Sequence, residues 1–468
     1  MTQNKHDFGL IGLGVMGRNF ILNVADHGFS ASGLDLDPEK VDALKKESEG
    51  KSVIGTTKIE EFIASLKPPR VIMMLVPAGK AVDNVIEDLL SLVEKQDIII
   101  DGGNSHFDDT DRRFDYLSSK GIHFMGIGVS GGSKGARFGP SMMPGGDEKV
   151  YGRVQPIFEA VSAKVNGEPC VTFLGPKSAG NYVKMIHNGI EYALMQLISE
   201  TYDFFKRGAL LTNAEIKDVF SSWNQGRLAS FLIEITAEIF AKNDDLGPGL
   251  LVDAILDKAK QKGTGKWTSQ HAMDLGIPIP SIDIAVTMRG LSFFKEERVE
   301  AGAAYGKHDG QINMNKQEAI ACAEAGLYFS YIICYAQGLS LLAATSTEKG
   351  YGLNIADIAK IWRGGCIIRA ALLKKIRKAF ANQNNLKNLI LSADFVSELS
   401  STEVLMRKFV IGGIEAGITA PAHTVCLSYY DSFKSPRLPT NLIQAQRDHF
   451  GSHTYERVDK SGIFHTEW

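Results

Sequence analysis

The sequence predicts an α/β domain with a doubly wound parallel sheet, then a large all-α domain built from a duplicated helical unit, then a C-terminal tail. Three observations predict this. Short apolar runs alternate with helical segments as far as Leu174, the rhythm of a parallel sheet covered by helices. From Tyr182 to about Ser435 the composition is helical, with no further strand of any weight. Two segments of that second region recur at offsets of 139 and 141 residues, too long for a solenoid and suited to a duplicated subdomain. The expected boundaries are 1–177, 178–434 and 435–468.

Phe8–Ile11 reads as a buried strand running into Gly12-Leu13-Gly14-Val15-Met16-Gly17, with Arg18–His27 continuing as a helix. Between strand and helix, this GxGxxG reads as a dinucleotide-binding turn, so the first domain is Rossmann-like. Gly12 permits the tight turn, Gly14 lets a pyrophosphate approach the backbone, and Gly17 lets helix and strand pack closely. The helix N-terminus supplies N–H groups and partial positive charge. The second strand, Ser30–Leu34, ends at Asp35, 18 residues after Gly17, close to the ~20 expected for the acid on an adenosine ribose. Leu36 and Asp37 follow, before Pro38 opens a helix.

Further strands are expected at Val71–Val76, Asp97–Ile100, His123–Phe124 and Val171–Leu174. Ligands belong at the turns after strand C-termini. Those turns read Val76-Pro77-Ala78-Gly79, Asp101-Gly102-Gly103-Asn104-Ser105 and Gly128-Val129-Ser130-Gly131-Gly132. The last resembles an anion nest, with backbone N–H groups beside a hydroxyl.

Ser178–Lys206 has the composition of a long helix and contains no proline. Lys184, His187, Asn188, Glu191 and Tyr192 fall at i, i+3, i+4, i+7 and i+8, on one face. Val183, Ile186, Ile190, Leu194, Leu197 and Ile198 make most of the remainder apolar, as in a buried helix. The stripe then faces an internal cavity with a potential base and a potential acid; periodicity alone fits a solvated face equally well.

In the helical region, Ile216–Asn224 resembles Ile355–Arg363, and Leu275–Pro280 resembles Ala416–Pro421. Lys260–Thr268 is a basic loop punctuated by Gly263 and Gly265, able to cradle a phosphate but without P-loop spacing. Taken alone it reads more readily as a solvated lysine loop, and Arg289 as a snorkelling surface residue. The tail Thr440–Trp468 is polar, yet its aromatic residues argue for docking, with a second subunit as one candidate surface.

A net charge of −3 gives no footprint for nucleic acid or membrane binding. No uninterrupted apolar run of spanning length is evident, and the N-terminus lacks the apolar core of a leader peptide. Five scattered cysteines without CxxC spacing read as reduced core residues of a cytoplasmic protein, not a disulfide frame or metal site.

With these motifs assembled, the chain resembles the decarboxylating 6-phosphogluconate dehydrogenase family over essentially its whole length. Seven stretches carry the resemblance: Gly12–Asn19, Asp101–Ser105, Val129–Gly132, Gly139–Gly146, Val183–Tyr192, Lys262–Trp267 and Gln446–Thr454. The resemblance implies oxidation of 6-phosphogluconate to ribulose 5-phosphate, carbon dioxide and reduced nicotinamide cofactor, without metal. Lys184 matches the family's base and Glu191 its acid. Asn104, His187 and Asn188 match substrate-orienting positions, and Ser130, Gly131 and Gly132 the carboxylate site. Tyr192, Lys262, Thr264 and Arg289 match the phosphate site, completed by Arg447 and His453 from the partner's tail in a homodimer. Cofactor positions are Gly12, Leu13, Gly14, Val15, Met16, Gly17, Asp35, Leu36, Asp37, Val76, Pro77, Ala78 and Asn104.

The chain also departs from the family. Asp35-Leu36-Asp37 replaces the usual Asn-Arg-Thr or Asn-Arg-Ser, so NAD is expected to be preferred over NADP. Gly14 stands where alanine is frequent, Pro77 replaces a lysine, and Ser133 and Lys134 replace two acidic residues. Two rivals are another 3-hydroxyacid dehydrogenase of the same superfamily and a non-catalytic cofactor-binding protein. The second helical unit and the Lys262 loop argue against the first; intact Lys184 and Glu191 argue against the second.

Overall fold

The computed structural model describes residues 5–306, 310–383 and 386–468, so the first four residues of the N-terminus read for a leader lie outside it. The first part runs β1 (Phe8–Ile11), α1 (Val15–Asp26), β2 (Ala31–Leu34), α2 (Pro38–Glu47), β3 (Val53–Thr56), α3 (Ile59–Ser65), β4 (Val71–Met74) and α4 (Lys80–Leu90). It continues with β5 (Ile98–Asp101), α5 (Phe107–Ser118), β6 (His123–Ser130), α6 (Gly132–Phe138), β7 (Ser141–Gly145) and α7 (Glu148–Val161). These strands form one sheet in the order β3-β2-β1-β4-β5-β6-β7. β1 to β6 are parallel, and β7 runs antiparallel to β6. The order reverses between β1 and β4, opening a crevice at the strand C-termini.

Two strands of this part escape a sequence reading, and two expected strands need correction. β3 escapes a sequence reading because it is a half-exposed edge strand with Gly55 inside it. β6 extends to Ser130 rather than stopping at Phe124, because β7 pairs with it from Gly126 to Ser130. β7 likewise escapes a sequence reading, since its Pro144 and Gly145 carry turn propensity. Val171–Leu174 is not a strand: Val171 bridges Met142, and the Leu174 N–H reaches the Pro144 carbonyl at 2.9 Å. Pro144 has no N–H to return, so the ladder breaks there. A small hairpin precedes this segment, β8 (Lys164–Val165) with β9 (Glu168–Pro169).

The helical part begins with α8 (Ala179–Asp203), which ends in a π turn at Phe204–Gly208. There follow α9 (Asn213–Trp223), α10 (Phe231–Ile239), α11 (Leu251–Ala254), α12 (Thr264–Asp274), α13 (Pro280–Ser292) and α14 (Lys295–Tyr305). Then come α15 (Lys316–Lys349), α16 (Ile355–Ile361), α17 (Leu372–Asn382), α18 (Ala393–Glu415) and α19 (Pro421–Phe433). α8 and α15 supply much of one continuous apolar core. By length and composition α15 could cross a bilayer, which the missing uninterrupted run concealed; 83% of its most apolar window is buried in the protein.

The expected duplication has a geometric signature. Gly276 and Gly417 both end a helix with left-handed backbone, at φ 65° and 64°. The Ile277 N–H bonds Ala272 O at 2.9 Å, and the Ile418 N–H bonds Gly413 O at 2.8 Å. Three residues on, Pro280 and Pro421 open α13 and α19.

The tail forms α20 (Thr440–Gly451) and a hairpin of β10 (Tyr455–Glu456) with β11 (Ile463–Phe464). Buried Asp448 holds it together, accepting from the Thr454 and Thr466 N–H groups and from His465 and Trp468.

Candidate active site

Close approach of backbone places α8 on the sheet. A Cβ at Gly128 would sit 2.3 Å from Lys184 Cβ, and one at Gly180 would sit 2.2 Å from Met143 O. No side chain fits at either position, so the helix lies directly on β6 and β7. That contact brings the stripe on α8 to the end of β6. Lys184, His187, Asn188 and Tyr192 are all less than a tenth exposed, and the Glu191 side chain is 21% exposed. The stripe therefore faces the protein interior, not solvent.

His187 is the hub. Its Nε2 lies 3.2 Å from Ser130 Oγ. Its Nδ1 lies 3.1 Å from Asn188 Oδ1, 3.4 Å from Lys184 Nζ and 3.8 Å from Glu191 Oε2. Burial is the largest influence on the protonation state of all three groups. It pushes the Lys184 amine down, opposed by Glu191. It pushes the Glu191 carboxyl up, opposed by Lys184 and Arg289. It holds the His187 imidazole well below its ordinary value, helped by Lys184. Lys184 is thus biased toward the free amine and Glu191 toward the neutral acid, the two states needed for a base and an acid at neutral pH.

Beyond Ser130 the chain turns through Gly131 and Gly132, at φ 114° and 62°, into α6. This turn leaves backbone N–H groups near the Lys184 end of the cluster. At the other end stands the lysine loop. Asn188 Nδ2 donates to Thr264 Oγ1 at 3.3 Å, and the Lys262 N–H reaches the Tyr192 hydroxyl at 3.4 Å. Arg289 stacks on the Tyr192 ring at 3.4 Å and donates to Lys260 O at 3.3 Å. Tyr192, Lys262, Thr264 and Arg289 are therefore neighbours, and Arg289 does not snorkel away. Gly265 permits this closeness, since a Cβ there would lie 2.5 Å from the Tyr192 ring.

Asn104 is exposed on the turn after β5. Its turn is braced by buried Asp101, which accepts from Gly103 N–H at 2.9 Å and Ser105 Oγ at 2.6 Å. Arg113, 1% exposed, reaches Asp101 at 3.4 Å and Gly79 O at 3.0 Å, tying that turn to the Val76–Gly79 turn. Arg447 and His453 are exposed on the tail. Among the described residues no hydrogen bond or ion pair joins either of them to the α8 cluster.

Sequence reasoning misses the loop after α16. Trp362 packs edge-on against His187 at 5.6 Å, and a Cβ at Gly131 would strike Gly365 O at 2.5 Å. The available signal was Gly364-Gly365, two residues after the repeated tryptophan Trp362.

A cleft of about 820 Å³ lies at the switch between β1 and β4, lined by Gly12, Gly14, Asp35, Leu36, Asp37, Val76 and Pro77 among others. Gly12 has φ 96°, and a Cβ at Gly17 would lie 1.9 Å from Gly12 O, so both glycines are obligatory. Nothing lies within 4 Å of a Cβ built on Gly14, which leaves room for a pyrophosphate. Leu13 and Gly17 are buried behind the turn, and Val15 and Met16 form the first turn of α1. Ala78 is exposed beyond Pro77. The residues fit a dinucleotide. Among the described residues no group of three or more His, Cys, Asp or Glu side chains is placed to hold a metal ion.

Two family models match the chain. One, described as the NAD binding domain of 6-phosphogluconate dehydrogenase, covers residues 7–175; the other, its C-terminal domain, covers 180–468. The NADP(+)-dependent decarboxylating 6-phosphogluconate dehydrogenase of Bacillus subtilis (strain 168) is 50% identical over 466 residues, 99% of each chain. The NAD(+)-dependent enzyme of the same organism is 46% identical over 464 residues, again 99% of each. The solved structure of Plasmodium falciparum 6-phosphogluconate dehydrogenase matches with a TM-score of 0.96 at 45% identity, covering 99% of this chain and 100% of that one. This chain belongs to the 6-phosphogluconate dehydrogenase family.

Proposed function

We propose that the chain oxidises 6-phospho-D-gluconate at C3 and decarboxylates the product to D-ribulose 5-phosphate, with Lys184 as base and Glu191 as acid. The observation that carries this reading is the placement of buried Lys184 and half-buried Glu191 on one face of α8, both within 4 Å of His187 Nδ1, between a backbone nest and a phosphate cradle. The Lys184 amine takes the C3 hydroxyl proton as hydride leaves C3. As an ammonium beside the C3 oxygen, it then stabilises the charge that develops when carbon dioxide departs. Neutral Glu191 delivers a proton to C1 of the enediol. The Gly131 and Gly132 N–H groups beside Ser130 hold the carboxylate end. Tyr192, Lys262, Thr264 and Arg289 hold the phosphate, and Asn104, His187 and Asn188 fix the sugar chain between them.

The nicotinamide cofactor, when bound, supplies the hydride acceptor. Gly12, Gly14 and the first turn of α1 would hold its pyrophosphate, and Asp35 its adenosine ribose. NAD is the preferred form in this reading. Leu36 offers no charge, and the nearby Lys40 amine is already shared by Asp35 and Asp37 at 3.5 Å each.

Labour divides among the dinucleotide-binding part (1–177), the helical part (178–434) and the tail (435–468). Exposed Leu442, Ile443, Phe450 and Trp468 on the tail suit docking on a second copy, whose site Arg447 and His453 would complete. Five buried, unbridged cysteines suit a reducing cytoplasm.

Purified protein given 6-phosphogluconate and each cofactor should release carbon dioxide, reduced cofactor and ribulose 5-phosphate in equal amounts. Reduced cofactor without carbon dioxide would replace this reading with a plain 3-hydroxyacid dehydrogenase.

A further inference from the structure

The Asn188 amide links two parts of the site. Its Nδ2 donates to Thr264 Oγ1 at 3.3 Å, and its Oδ1 lies 3.1 Å from His187 Nδ1. Ser130 Oγ lies 3.2 Å from the opposite ring nitrogen, Nε2. Lys184 Nζ lies 3.4 Å from the same Nδ1 that faces Asn188. All five side chains are buried. A neutral imidazole has one N–H and one lone pair, and a carbonyl oxygen can only accept. The oxygen of Asn188 therefore requires the proton on Nδ1, leaving Nε2 to accept from Ser130.

Thr264 determines which way the amide points. It is the first residue of α12, where a phosphate is placed by the function proposed above, on which this inference rests. With its proton committed to that anion, the Thr264 oxygen has only lone pairs left for Asn188. The amide NH₂ then faces Thr264, and the carbonyl faces His187.

We propose that Asn188 fixes His187 in the Nδ1–H tautomer and so presents an N–H, rather than a lone pair, to the Lys184 amine. An ammonium there would meet a donor, whereas a free amine accepts from it. Asn188 is thus a positioning residue that favours the base form of Lys184. Phosphate binding at Thr264 reinforces it, so the base is set when the correct substrate is seated.

The other groups around Lys184 do not mask this effect. On α8, Glu191 pulls toward the ammonium only in its ionised form, which burial disfavours, and Arg289 from α13 opposes that burial effect. From the loop after α16, Cys366 is pushed up to about 12 by burial and stays a neutral thiol. Ser130 from β6 and Thr264 from α12 are not ionisable.

The test is the pH profile of kcat/KM for 6-phosphogluconate. Lys184 must be neutral to act, so activity falls as pH drops through its pKa. In Asn188→Ala the ring is free to expose its Nδ1 lone pair to an ammonium. One hydrogen bond to one protonation state moves the acid limb to higher pH by about one unit. Thr264→Val should shift it the same way, and Thr264→Ser should not. An acid limb that stays put in Asn188→Ala while turnover drops would overturn the proposal, leaving Asn188 as a substrate contact only. Where a variant is too slow to profile, nitrogen NMR of labelled His187 decides. Nδ1 should change from an N–H to a bare ring nitrogen, and an unchanged tautomer overturns the proposal. A wild-type profile with no acid limb would instead sink the assignment of Lys184 as base.

Discussion

Glu200 of α8 and Gln337 of α15 each cap a helix of the opposite half of the duplicated unit. Glu200 Oε1 accepts the Ala422 N–H at 2.9 Å and Oε2 the His423 N–H at 3.1 Å, at the start of α19. Gln337 Oε1 accepts the Ser281 N–H at 3.0 Å and its hydroxyl at 2.6 Å, at the start of α13. The halves thus clasp each other, one through a carboxylate and one through an amide.

The carboxylate makes stability depend on pH. Burial pushes Glu200 up from 4.5 to about 7, against the pull of the N–H groups it accepts. A carboxyl raised in the folded state contributes stability that is complete below its unfolded value. That contribution is lost as pH rises through about 7. The full span is roughly 3 kcal/mol. Glu200→Gln keeps the shape but leaves one capping N–H without an acceptor, so it is the less stable protein at pH 5. Its deficit should narrow by up to ~3 kcal/mol by pH 8, measured by denaturant unfolding at fixed protein concentration. A deficit that stays constant from pH 5 to 8 would show that burial does not raise Glu200 into that range in the folded state.

Lys184→Met should abolish turnover while leaving cofactor affinity nearly intact, because the amine lies in the α8 cluster and not in the dinucleotide cleft. Glu191→Gln should lower kcat by ~10²–10⁴ with a smaller change in KM, the usual cost of losing an acid–base group. Wild-type turnover in Lys184→Met would exclude it as the base.

The stripe on α8 is legible because positions three and four apart share a helix face, and the flanking apolar residues mark that helix as buried. Which surface the stripe meets is not legible. That depends on Gly128 and Gly180 coming together from distant segments, and neither is unusual in its local sequence. The β1–α1 turn is legible because its glycines act within one short loop. β7 is not, because its Pro144 and Gly145 carry turn propensity and the pairing with β6 overrides it. The Trp362–Cys366 loop belongs to the site only through long-range contacts, such as the Ser141 N–H on Gly365 O at 2.8 Å.

If the tail of one subunit completes the other's site, two inactive variants should rescue each other. Lys184→Met lacks the base but presents an intact tail, and Arg447→Ala keeps the base but lacks the tail's guanidinium. A mixed dimer then holds one complete site and one doubly defective site. Co-refolded mixtures should recover up to about a quarter of wild-type activity, since half the dimers are mixed with one good site each. Mixed dimers shown to form yet remaining inactive would place Arg447 outside the partner's site.

Cofactor choice is where this chain should part from its NADP-using relatives. Asp35 is anchored, its Oδ2 accepting the Leu13 N–H at 2.7 Å and its Oδ1 the Asp37 N–H at 3.0 Å. That fixes a carboxylate in the cleft where the adenosine ribose would lie, and it can accept from ribose hydroxyls. The 2′-phosphate of NADP would meet it as a like charge. Leu36, 88% exposed, provides no compensating cation. A lost charge-assisted pair and an added repulsion are each worth about 1–3 kcal/mol. Together they should favour NAD by roughly tenfold to several-thousandfold in kcat/KM. Equal values, or a preference for NADP, would refute this and point to Lys40 or Lys58 on the cleft wall as the phosphate's partner. The triple change Asp35→Asn, Leu36→Arg, Asp37→Thr should move preference toward NADP. It removes the repulsion, supplies a guanidinium and releases Lys40 from its two carboxylates. Threonine at 37 also keeps a side-chain oxygen to cap α2, where Asp37 now accepts the Glu39 N–H at 3.0 Å. The apparent affinity for 6-phosphogluconate should not change, because none of the three residues belongs to the α8 cluster.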